Sequence, residues 1–128
     1  MRLLLDTHAL LWWWTDDARL SGAARTAIAD TDNEIFVSAA SAWEVAIKHR
    51  LGRLTDMPQA APRFVELMTA DGFVRLPVDQ RHALHAGACR NKHRDLFDRM
   101  LAAQAELENL TIVTCDEALA AFGGSRLW

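Results

Sequence analysis

The chain has 128 residues, 51% of them apolar and 24% charged, with a formal net charge of −3 at pH 7. That length suits one compact domain, residues 1–128, with a core that needs no disulfide or structural metal. The balance excludes a disordered chain and argues against an unspecialised, generally basic nucleic-acid binder.

In chain order, Arg2–Asp6 reads as a buried strand. The apolar run from Ala9 to Trp14 follows in helical register. Successive helical residues turn by about 100°, so Trp12, Trp13 and Trp14 cannot share one core, and at least one is expected to face a partner. Ser21 caps a helix running to about Asp30, and Glu34–Ser38 is a second strand. Ser41 is expected to cap a helix through about Leu51, in a capping box with Glu44, which also stands four residues before Lys48. Pro62–Ala70 reads as helix, Phe73–Leu76 as strand, and Val78–Ala88 and Leu96–Asn109 as helices. Thr111–Thr114 is the fourth strand, with a short helix after Asp116.

No apolar run approaches the roughly 20 residues that a membrane span requires. The opening residues carry no signal-peptide hydrophobic region. Cys89 and Cys115 lack a CxxC partner, so free thiols and a cytoplasmic setting are expected.

Strands rich in apolar residues, alternating with helices, indicate an α/β domain with a mostly parallel sheet of four to five strands between two helical layers. Ligands of such sheets bind beyond the carboxyl ends of the strands. Asp6, Glu44, Asp98 and Asp116 all fall where they can reach that edge. Each acid alone has a structural explanation as a helix cap or ion-pair member. Gathered together they would repel one another, which makes the group a natural site for Mg²⁺ or Mn²⁺. Two basic clusters, Lys48, His49, Arg50 and Arg53, then Arg90, Lys92, His93, Arg94 and Arg99, are suited to a phosphate backbone.

Four blocks, in order, resemble PIN-domain toxins of the VapC type: Leu4–Trp13 (LLDTHALLWW), Ser38–Lys48 (SAASAWEVAIK), His93–Ala105 (HRDLFDRMLAAQA) and Val113–Asp116 (VTCD). The resemblance implies a three-layer PIN-like fold and a metal-dependent endoribonuclease that restrains translation and growth. It places the catalytic and metal-binding acids on Asp6, Glu44, Asp98 and Asp116, with Mg²⁺ or Mn²⁺ as cofactor. Thr7, Ser38 and Thr114 match polar positions beside them, and Asp95 matches an acid whose main role here is capping. Leu96 departs from the family's usual proline, a change compatible with the same helix. The implied partners are an RNA substrate such as transfer RNA, a cognate VapB-like antitoxin and a second copy of the chain.

Three other readings compete. A PIN-like module could bind RNA or protein without cutting, although all four acids are present. A phosphatase using Asp6 as nucleophile would carry a second Asp where His8 stands. A zinc site at Cys89 and His93 lacks two of the four ligands that structural zinc takes. His8, His49 and His93 are expected on the surface or in packing roles.

Overall fold

The computed structural model describes residues 1–90, 95–120 and 124–128. Lys92, His93 and Arg94 of the second basic cluster therefore lie outside the described residues. The elements are β1 (Arg2–Leu5), α1 (Thr7–Trp14), α2 (Gly22–Ala29), β2 (Glu34–Ser38), α3 (Ala39–Arg50), α4 (Phe64–Asp71), β3 (Val74–Leu76), α5 (Gln80–Ala88), α6 (Leu96–Glu108), β4 (Thr111–Val113), α7 (Glu117–Ala120) and β5 (Arg126–Leu127).

The five strands form one sheet in the order β3-β2-β1-β4-β5, and every pairing is parallel. Strand alternation then sorts the core into two halves. Leu3, Leu5, Ile35, Val37 and Val113 point to one face, where residues of α1, α2, α3 and α4 cover them. Leu4, Phe36 and Ile112 point to the other, against Leu101, Ala102 and Ala105 of α6 and Leu119 of α7. Both faces are covered by helices, so the strands read as continuous apolar runs. Each leucine buried this way contributes about 1.5–3 kcal/mol.

Two left-handed residues turn helices into strands. Gly72 ends α4 at φ 70° and Asn109 ends α6 at φ 55°, the residue types that tolerate this conformation best.

Two expectations need correction. The helix expected to start at Ser41 begins at Ala39, capped by Ser38, whose side chain accepts the Ala40 N–H. β2 runs straight into α3 without a loop, so Ser41 is interior and buried, and Glu44 is not a capping-box partner. The sheet has five strands, within the four to five expected, and β5 is too short at two residues to carry an alternation signal of its own.

The tryptophans make contacts within the chain while keeping part of their surface open. All three are half-buried against the chain's own core. Trp12 meets Trp128, with ring centroids 5.7 Å apart, Trp13 meets Phe73 and Trp14 stands edge-on to Phe64 at 5.2 Å. The indole N–H groups of Trp13 and Trp14 both donate to Asp71 Oδ2, at 3.2 and 2.9 Å. The three rings do fan out, but α4, the start of β3 and the C-terminal residue meet them. Among the described residues, no helix is long and apolar enough to cross a membrane.

Candidate active site

In the chain path, β2 and β3 extend the sheet to one side of β1, and β4 and β5 to the other. The order reverses at β1, so the crevice that α/β sheets use for ligands opens beyond the carboxyl ends of β1 and β4. Asp6 directly follows β1, and Asp116 follows β4 by three residues. Asp6 and Asp116 flank that crevice.

Asp6 is the N-cap of α1, accepting the Ala9 N–H at 2.7 Å, and is only 4% exposed. Burial raises its carboxyl above the ordinary range, opposed by hydrogen bonds from Thr114 and the Ala9 N–H and by His8, and reinforced by the charge of Glu44. Thr114 serves both acids: it hydrogen-bonds the Asp6 carboxylate, while its Oγ1 accepts the Asp116 N–H at 3.0 Å. Asp116 in turn caps α7, its Oδ1 accepting from Ala118 N at 2.9 Å. The Cys115 thiol between them is pushed up by burial and by the charges of Asp6 and Asp116.

Glu44 lies in the second turn of α3 and pairs with Lys48 at 3.1 Å, the i,i+4 pair its spacing predicted. Thr7 Oγ1 donates to Ser41 Oγ at 3.1 Å, tying the start of α1 to α3. Asp98 sits in the first turn of α6, where Asp95 caps the helix by accepting from Phe97 N and Asp98 N. Phe97, beside Asp98, meets Trp43, beside Glu44, with ring centroids 5.3 Å apart.

The structure thus puts Asp6 in the field of Glu44, links Asp6 to Asp116 through Thr114, and sets Asp98 on α6, which packs against α3. No three of these four acids bring their oxygens within 4.8 Å of one another. Their donor chemistry nonetheless suits a hard divalent cation: all are carboxylates, and Asp6 holds a desolvated charge that a cation would offset.

Among the described residues, one trio of ligand-type side chains is that compact: Asp79, His82 and Glu108, with one atom of each within 4.8 Å. It could hold a metal by spacing, but its atoms are engaged. His82 Nδ1 accepts the Asp79 N–H at 3.0 Å and Nε2 meets Glu108 Oε1 at 2.9 Å. Arg81 bridges both carboxylates. The cluster latches the start of α5 to the end of α6, away from the crevice.

Of the basic clusters, His49, Arg50, Arg53 and Arg90 are exposed, while Arg99 is half-buried and donates to the Cys89 carbonyl. His8 and His49 are exposed as expected. Sequence reasoning passed over two buried polar groups, His82 and Gln104. The signals were available: Asp79-x-x-His82 has capping-box spacing, and Gln104 stands in an otherwise apolar helical stripe. It also missed an apolar face on α3, α5 and α6. There Trp43 and Leu96 are 65 and 72% exposed beside a groove of about 440 Å³, whose α5 wall is Ala83, Ala86 and Gly87.

A model of the PIN domain family matches residues 3–124. Over 64 residues, half of this chain, the sequence is 41% identical to Ribonuclease VapC16 of Mycobacterium tuberculosis; the alignment spans 45% of that protein's length. The fold superposes on a chain of VapBC2 from Rickettsia felis, in a structure bound to a promoter DNA fragment. That match has a TM-score of 0.72 and 14% identity, covering 99% of this chain and 98% of the other. VapBC-1 from nontypeable Haemophilus influenzae matches with a TM-score of 0.68 and 18% identity, over 99% and 97% of the two chains. VapBC-5 from Mycobacterium tuberculosis, of the VapBC family of toxin-antitoxin systems, matches with a TM-score of 0.62 and 20% identity, over 98% and 95%.

Proposed function

The chain belongs to the PIN-domain family, and on that premise we propose that it is a divalent-metal-dependent endoribonuclease, the toxin of a toxin–antitoxin pair. Residues 1–128 would work as a single such domain in the cytoplasm. The observation that carries the proposal is the placement of Asp6 and Asp116 on either side of the switch-point crevice, with Glu44 close enough to perturb Asp6. The partial match to a ribonuclease agrees with it.

In this reading Asp6, Asp98 and Asp116 hold Mg²⁺ or Mn²⁺, directly or through water, and Glu44 completes the pocket. When bound, such an ion supplies positive charge that offsets the charge developing on the phosphate and makes water a better nucleophile. The chain's own groups supply orientation. Thr114 and the Ala9 N–H fix the Asp6 carboxylate. Lys48 pairs with Glu44 and holds it in place, so that Glu44 can polarise the attacking water. Exposed Arg50 and Arg53 attract the RNA backbone.

The partners follow from the same reading: RNA, with transfer RNA as the first candidate, a VapB-like antitoxin and a second copy of the chain. The exposed groove edged by Trp43 and Leu96 supports an interface, since monomers rarely leave such apolar surface uncovered.

The test is to incubate antitoxin-free protein with total RNA, then with short labelled RNAs, in Mg²⁺, Mn²⁺ or EDTA. Metal-dependent cutting that Asp6→Asn and Asp98→Asn both abolish is the expected result. Cutting that survives EDTA or both substitutions would refute it. Metal-dependent RNA binding without cutting would favour the silent-module reading.

A further inference from the structure

Gln104 lies in the middle of α6 with no exposed surface. Both ends of its amide are engaged. Ser38 Oγ donates to Oε1 at 2.5 Å, and Nε2 donates to the Pro77 carbonyl at 3.2 Å. Ser38 is both the last residue of β2 and the N-cap of α3, so Gln104 grips α3 at its origin.

A second tie joins the same two helices. The Trp43 and Phe97 rings meet at 5.3 Å, nearly perpendicular. The partners run in opposite senses, from Ser38 to Trp43 along α3 and from Gln104 back to Phe97 along α6. The next residues after the two aromatics are Glu44 and Asp98. The aromatic tie is partly exposed, whereas the polar tie is buried.

A buried amide is costly unless its donors and acceptors are satisfied, and an apolar side chain of similar size would serve packing alone equally well. A hydrogen bond adds direction: it fixes which residue of α6 faces the origin of α3, whereas apolar surfaces slide past one another more freely. We propose that Gln104 is a positioning residue, which sets the placement of Asp98 relative to Glu44 by locking α6 to the Ser38 cap of α3. This rests on the metal-dependent nuclease reading of the four acids. Its consequence is that the affinity for a divalent cation depends on a side chain that touches neither the ion nor the RNA.

The experiment measures Mn²⁺ affinity by water-proton relaxation and cleavage kinetics of a short RNA, well below the melting temperature of each variant. Gln104→Met preserves side-chain length and removes the amide's hydrogen bonds to Ser38 and Pro77 and its longer contact with His82 Nδ1. It is expected to weaken Mn²⁺ binding by about tenfold and to lower kcat with little change in the KM for RNA. Ser38→Ala should produce a similar loss, and the double variant should be no worse than the poorer single one, because both break one tie. Gln104→Glu should recover toward the wild-type ratio as pH falls, since a protonated carboxyl reproduces the amide's donor and acceptor. Leu110→Ala, buried in the cluster that α6 packs into, should lower the melting temperature while leaving Mn²⁺ affinity unchanged.

Wild-type Mn²⁺ affinity and kcat in Gln104→Met, or additive losses in the double variant, would overturn the proposal while leaving the nuclease reading intact. A wild-type protein that neither binds Mn²⁺ nor cuts RNA would overturn both.

Discussion

Lys48 Nζ stands 3.1 Å from Glu44 Oε2 across one turn of α3, with both side chains largely buried. Glu44 in turn lies close enough to Asp6 for its charge to oppose ionisation there. One cation therefore anchors an acid whose field reaches the crevice.

Lys48→Met removes a positive charge from beside the acids, so divalent-ion binding should not weaken. On the nuclease reading RNA binding should weaken, because Lys48 belongs to the basic cluster assigned to the phosphate backbone. The expected result is a raised KM and a salt dependence of log KM reduced by about 0.7, the value of one lost contact to a single strand. Titrating NaCl in both proteins checks this; an unchanged salt slope would remove Lys48 from the RNA path.

Asp6→Asn keeps an oxygen to accept the Ala9 N–H, so the α1 cap and the fold should persist. Cleavage should fall by at least about 100-fold, the scale of removing a group that stabilises the transition state directly. Stability should move the other way. Burial raises the Asp6 carboxyl above its ordinary 3.8, so the ionised acid costs stability, and that cost disappears as pH falls through the raised value. In EDTA, Asp6→Asn should melt higher than wild type at neutral pH, with the gap closing on acidification. A lower melting temperature at neutral pH would contradict the burial argument.

The α5–α6 latch has the opposite pH sense. Its hydrogen bond with His82 lowers the Glu108 carboxyl from 4.5, and Arg81 lowers it further. The His82 N–H chiefly lowers Asp79 from 3.8. Both contributions are present above the unfolded values and are lost as pH falls through the folded ones. Melting curves between about pH 6 and pH 3 should show a steeper acid loss in wild type than in Glu108→Gln. Parallel curves would mean that the latch adds nothing measurable.

Asp71 receives both indole N–H groups of Trp13 and Trp14. Asp71→Ala should cost about 1 kcal/mol, as each lost bond can be replaced by water at these exposed positions. Tryptophan emission should shift to the red as solvent reaches the rings. Unchanged emission and stability would show that ring packing alone holds the run.

Much of the fold was legible because its signals are local. Leu3–Leu5 and Ile35–Val37 are too apolar for anything but a sheet covered on both faces, and the observed parallel pairings agree. Ser21 and Asp95 cap the helices their positions suggested. Ser41 misled because a capping-box spacing looks the same at the start of a helix as inside one. Only the direct passage from β2 into α3 decides between them. The short β5 pairs with β4 through backbone groups, which leave no pattern in side-chain identity.

The four acids could be picked out from chemistry and order along the chain, since each follows or precedes a recognisable element. What each touches could not. That Thr114 joins Asp6 to Asp116, that Gln104 holds the cap of α3, and that the tryptophans meet Asp71 and Trp128 are meetings of residues distant in sequence. Periodicity, caps and the kinds of side chain available are legible along the chain, because these depend on neighbours within a few residues. Tertiary structure alone decided the partners, because burial and hydrogen-bond direction exist only once β1 lies between β2 and β4.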